Sequence, residues 1–115
     1  MHQDCKDWPN WPEKRTALIA EVGINHGGDE KLAWEMILAA NENGADFIKL
    51  QTYKTEQFFH PSLSYFNSTK SMELSSEATS RLFEKAAETN AKLVTTPFDF
   101  ESVDLIENFS PPFYK

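Results

Sequence analysis

The sequence predicts an α/β fold made of parallel βαβ units. Three observations lead there. Short apolar runs alternate with amphipathic stretches along most of the chain, polar or glycine-containing turns separate them, and Asp29 and Ser75 or Ser76 stand where helix caps are needed. An open doubly wound sheet and a (β/α)₈ barrel both satisfy this alternation. Gly27 and Gly28 have no third glycine at the spacing of a dinucleotide-binding turn, so that fingerprint is missing.

Residues 1–16 read as a polar N-terminal leader, and 17–115 as the first half of a barrel domain, incomplete. In the leader, Trp8-Pro9-Asn10-Trp11-Pro12 has no periodicity, and its prolines forbid a regular helix. Its two tryptophans suit a cover over an apolar surface, such as the bottom of a barrel. Regular structure begins with a strand in which Leu18, Ile19 and Ala20 are expected to be buried. It breaks at the turn Asn25-His26-Gly27-Gly28, and Asp29 caps the helix that follows. Leu32, Met36, Ala39 and Ala40 recur at helical spacing, and Gly44 stops the helix where a left-handed backbone is needed.

A second strand is predicted from about Asp46 to Tyr53, then a long uneven loop through Phe58, Phe59, His60, Pro61 and Tyr65. A second helix follows with the stripe Ala78, Leu82 and Ala86. The third strand covers Ala91 to Phe98, and a short third helix covers Ser102 to Asn108 through Val103 and Ile106. Pro111-Pro112 then lead into Phe113-Tyr114-Lys115, which has the character of a fourth strand cut after its first residues.

Composition narrows the function classes. With 115 residues, 40% of them hydrophobic, the chain can build one modest core. A net charge of -7 argues against nucleic acid or an anionic membrane as partner, because phosphate attraction needs clustered Lys and Arg. Cys5 is the single cysteine, so no internal disulfide forms and a reducing compartment fits. No apolar run approaches the roughly 20 residues of a membrane span, and the N-terminus has no apolar signal core. The expectation is a cytoplasmic protein. A barrel needs about 250 residues, so this chain would supply roughly half of one.

Side chains alternate along a strand, so Phe47, Lys49 and Gln51 share one side of the second strand, and by the same alternation Ile19, Glu21 and Gly23 share a face of the first. In a barrel the apolar residues between them turn outward to the helices, which places Lys49 and Gln51 inside. An ammonium there costs several kcal/mol unless a counter-charge meets it. Two readings stay open on spacing alone. Glu21 and Lys49 form a structural ion pair between adjacent strands, or Lys49 meets an anionic ligand while Glu21 faces a hydroxyl-rich one. Glu21, Gln51 and Thr96 all fall toward the C-terminal ends of their strands, where barrel enzymes build their sites.

Four pieces resemble the N-acetylneuraminate (sialic acid) synthase family, in order. They are Glu21-Val22-Gly23-Ile24-Asn25-His26, Gly44-Ala45-Asp46-Phe47-Ile48-Lys49-Leu50-Gln51-Thr52, Thr95-Thr96-Pro97-Phe98 and Tyr114-Lys115. The resemblance implies the N-terminal half of a (β/α)₈ TIM barrel, truncated in its fourth strand. It also implies condensation of phosphoenolpyruvate with an N-acylated amino sugar such as N-acetylmannosamine, giving a sialic or related nonulosonic acid plus phosphate.

By that resemblance Lys49 and Lys115 bind the phosphate or carboxylate of phosphoenolpyruvate, and Thr96 donates a hydroxyl to it. Glu21 and Gln51 lie beside the sugar, with Glu21 the candidate for proton handling. Asn67 falls where the family has a sugar-contacting asparagine, whereas Gly27 departs from the family's more usual Asn or Glu. His26 is read as a hydrogen bonder that shapes the loop. The family's divalent metal (Mn or Mg) polarises the sugar aldehyde, and its histidine ligands lie further along than Lys115. A homodimer is expected for the full-length protein. The rival within enzymes is a relative using a legionaminic, pseudaminic or spore-coat precursor. The rival outside them is a catalytically inactive half barrel serving in assembly or binding.

Overall fold

The computed structural model describes residues 11–115. Three strands, β1 (Ile19–Gly23), β2 (Phe47–Thr52) and β3 (Leu93–Pro97), form one parallel sheet in the order β1-β2-β3. Helix α1 (Glu30–Glu42) joins β1 to β2. The short helices α2 (Thr55–Phe58) and α3 (Phe66–Ser71) and the longer α4 (Ser76–Glu88) join β2 to β3, and α5 (Phe100–Glu107) follows β3. The predicted α/β class with parallel βαβ units is therefore what forms. Beyond α5, Tyr114 makes a single parallel bridge to Thr95, so the expected fourth strand is represented by that one pairing.

The helix ends have local causes. Asp29 accepts the backbone N–H of Leu32, Ser75 accepts that of Ala78, and Asp99 accepts that of Ser102. Each satisfies one donor that a helix N-terminus leaves without an intrahelical partner. The third cap moves the start of α5 to Phe100, two residues before the predicted Ser102. Gly44, with φ +89, lies just past the C-cap Asn43 and takes the left-handed conformation predicted for it.

The sheet is apolar toward the helices. Val22, Ile48, Leu50 and Leu93 pack against Ala33 and Ile37 of α1, Leu82, Phe83 and Ala86 of α4, and Ile106 of α5. The predicted α4 stripe holds. The α1 stripe is corrected: Leu32 is 41% exposed and Ala39 is exposed, while Ala33 and Ile37 are buried and Met36 and Ala40 pack beside them. A shift of one residue turns the stripe by about 100°, and the sheet selects the face that carries Ile37. Leu18 and Ile19, expected to be buried, are 59% and 42% exposed, because β1 is the outer strand of the sheet and has β2 on one side only.

On the opposite face, Phe47 lies at the start of β2 and is fully buried. Trp11 stacks on it at 5.6 Å between ring centroids, and Phe113 meets it edge-on at 4.9 Å. Trp11 thus covers an apolar surface at the N-terminal end of the strands, as its setting suggested. Trp8 and Cys5 lie outside the described residues. The core helices thus pack on one face of this parallel sheet, whereas a doubly wound sheet carries helices on both.

Candidate functional site

Register brings the predicted residues together. Glu21 pairs with Lys49 across β1 and β2, and Gln51 pairs with Thr96 across β2 and β3. All four occupy the face away from the helices, toward the C-terminal strand ends. Lys49 Nζ lies 2.5 Å from Glu21 Oε2 and donates to Thr96 Oγ1 at 3.2 Å. Lys49 is 8% exposed, and its remaining N–H has no acceptor among the described residues. The Glu21 side chain keeps 45% of its surface open, so one carboxylate both neutralises the buried cation and faces outward.

Gly23 holds this group together. The β1–β2 register shifts between Glu21 and Gly23, and Gly23 has φ +59. A Cβ placed there would sit 3.0 Å from Glu21 Oε1, 3.7 Å from Gln51 Nε2 and 3.9 Å from Asn25 Nδ2. Glycine is needed twice, for the left-handed backbone and for the space three polar side chains share. Asn25 is anchored by its own amide, which donates to the Val22 carbonyl at 2.9 Å.

His26 is 2% exposed and its Nδ1 accepts the Gly28 N–H at 2.9 Å, which fits the loop-shaping role. Burial pushes its pKa below the ordinary value. The Gly23 backbone and the Asp29 charge pull the other way, although no hydrogen bond of acceptable geometry closes at Nε2. The ring is therefore neutral near pH 7, with its proton assigned to Nε2 from the Nδ1 contact.

Lys115 and Asn67 stand further out. The Lys115 N–H donates to the Thr95 carbonyl at 3.3 Å, and Tyr114 pairs with Thr95. Tyr114 turns to the helix side, where its hydroxyl bonds Glu107 of α5, and Phe113 meets Phe47 on the other side. The Lys115 side chain is exposed. Asn67 is exposed on α3 and makes no hydrogen bond to the Glu21–Lys49 group.

A cavity of about 250 Å³ adjoins the site, with Gln51 in its wall. Tyr53, Phe58, Phe59 and Phe98 supply most of the lining, with Ile24 and Thr69. Tyr53 is fixed by its hydroxyl, which donates to the Thr69 carbonyl at 2.8 Å, and its pKa is raised by burial and then by the Glu73 charge. The residue reading passed over these aromatics and Asn25; the signal available was the Phe58-Phe59 pair inside an otherwise polar loop. A larger cleft of about 440 Å³ opens at the other end of β3, around Lys92, Phe109 and Pro111, and none of the predicted site residues lines it.

The chain is similar to several known proteins. The chain is 38% identical over 100 residues to an uncharacterized protein of Methanocaldococcus jannaschii, covering 87% of this chain and 30% of that one. It is 33% identical over 116 residues to the N,N'-diacetyllegionaminic acid synthase of Campylobacter jejuni, covering 89% and 35% respectively. The crystal structure of N-acetylneuraminic acid (sialic acid) synthetase from Leptospira borgpetersenii superposes with a TM-score of 0.77 at 32% identity, over 84% of this chain and 34% of that one. The chain thus spans about a third of the length of these relatives. Residues 36–115 match the NeuB family. That match covers well over half of the sequence, and the chain belongs to the NeuB family.

Proposed function

We propose that this chain is the N-terminal half of a (β/α)₈ barrel whose full-length form condenses phosphoenolpyruvate with an N-acylated amino sugar. The product is a nonulosonic acid, and phosphate is released. The observation that carries this reading is Lys49, a buried ammonium fixed by Glu21 and Thr96 with one N–H left over, at the strand ends where barrel sites assemble. A fixed cation in a pocket partly screened from water stabilises a multiply charged ligand without reorganising during the reaction.

In this reading Lys49 and Lys115 hold the anionic groups of phosphoenolpyruvate and Thr96 gives it a hydroxyl. Glu21 and Gln51 face the sugar, where the open side of the Glu21 carboxylate accepts from hydroxyls or takes up a proton. Asn67 approaches the sugar from α3. The bonds balance simply: C3 of phosphoenolpyruvate joins the aldehyde carbon, water adds at C2, and the C–O bond to phosphate breaks. The described residues include no group of three His, Cys, Asp or Glu side chains able to hold a metal, so none of these residues is assigned to one. No helix among them is long and apolar enough to cross a membrane. A homodimer and a cytoplasmic setting belong to the same proposal.

The test is phosphate release by the full-length protein supplied with phosphoenolpyruvate and N-acetylmannosamine, alongside a diacetamido hexose. Release that requires the sugar, with a product heavier by a pyruvyl unit, is expected. Release without sugar, or none with either sugar, contradicts the proposal.

A further inference from the structure

The aromatic cavity beside Gln51 has no part in the roles above. Its volume, about 250 Å³, falls below the roughly 300–1,000 Å³ that encloses a whole small ligand, so it suits one substituent of a larger molecule. No charged side chain lines it, which disfavours a phosphate or carboxylate. The Tyr53 hydroxyl already donates to the Thr69 carbonyl, so the Gln51 amide, with the Thr69 hydroxyl, is what the wall offers to a polar group of a ligand. Phe58 and Phe98 lie 4.9 Å apart yet remain 42% and 37% exposed, an apolar surface left open beside the polar group of Glu21 and Lys49.

An apolar chain that carries one amide matches this combination. We infer that the cavity is the acyl-recognition subsite of the site proposed above: the N-acyl chain of the sugar lies among Phe58, Phe59 and Phe98, and its amide meets Gln51. The inference rests on the reading that the substrate is an N-acylated amino sugar. The wall then sets which acyl length is accepted, by about fourfold for each methylene it covers or excludes.

The experiment measures kcat/KM of the full-length protein for N-acetyl-, N-propanoyl- and N-butanoylmannosamine at saturating phosphoenolpyruvate. Phe58→Ala widens the cavity and should raise the butanoyl-to-acetyl ratio by about fourfold or more. Thr69→Leu narrows it and should lower the ratio; the Tyr53 bond survives because it uses the Thr69 backbone. Phe58→Leu serves as a milder enlargement should the alanine variant fold poorly. Turnover with ratios within about twofold of wild type in Phe58→Leu and Thr69→Leu overturns the acyl assignment and leaves the proposed function standing. No turnover of any of the three sugars by the wild type overturns both.

Discussion

Asp46, one residue before β2, receives two hydrogen bonds from Arg15, at 2.6 and 2.7 Å, and one from the Leu18 N–H at 2.8 Å. The Arg15 guanidinium, followed by the Leu18 N–H, brings its carboxyl down from the ordinary 3.8 to about 2. A carboxyl depressed on folding adds stability above its unfolded value, and that stability fades as pH falls toward the folded one. Asp46→Asn should therefore lower the melting temperature by a few degrees at pH 7, and the gap to wild type should close between about pH 4 and pH 2. A gap that persists unchanged at pH 2 would show that the pair's charge is not what matters. This contact was not legible in the sequence, since Arg15 sits in an aperiodic leader 31 residues away from its partner. Lys49 and Gln51 were legible from strand alternation and Glu21 and Thr96 from their places near strand ends, while the register that brings the four together was not. Phe58 and Phe59 were not, because an irregular loop has no period from which to read direction.

At the scale of elements, the turn between β1 and α1 is built against the end of α3. Gly28 has φ +83, and a Cβ there would lie 2.3 Å from the Ser71 carbonyl oxygen. Gly27 has φ +61 and nothing within 4 Å of a Cβ. Gly27→Ala should cost about 1–2 kcal/mol, the penalty for a left-handed L-residue. Gly28→Ala should cost clearly more, because backbone must move as well, and denaturant unfolding of the pair measures the difference. Equal losses would mean that the turn does not rest on α3. Helices α2 and α3 escaped the sequence reading for a related reason. Pieces of 4 and 6 residues cannot hold themselves in water. They depend on distant anchors, namely Glu73 accepting the Thr55 N–H and Thr69 accepting the Tyr53 hydroxyl. In α1 the periodicity was right but the face was off by one residue, which only the sheet decides.

For the molecule as a whole, one face of the sheet is covered by helices and the other carries the proposed site. Leu18 and Ile19 are exposed at β1, which has no second neighbouring strand among the described residues. A polypeptide of residues 1–115 produced alone should therefore self-associate through that edge and face. Sedimentation should give a mass that rises with concentration; a stable monomer at high concentration would count against the half-barrel reading. The central claim is that Lys49 serves an anionic substrate and is not merely one end of an ion pair with Glu21. Steady-state kinetics on full-length variants test it most directly. Lys49→Ala should lower kcat/KM for phosphoenolpyruvate by about 100-fold or more, and Lys49→Arg should not restore it. Lys14→Ala, at an exposed leader position, should leave it unchanged. Glu21→Gln/Lys49→Met removes both charges and should stay inactive even where melting shows stability regained; wild-type turnover in that double variant would make Lys49 structural and contradict the account.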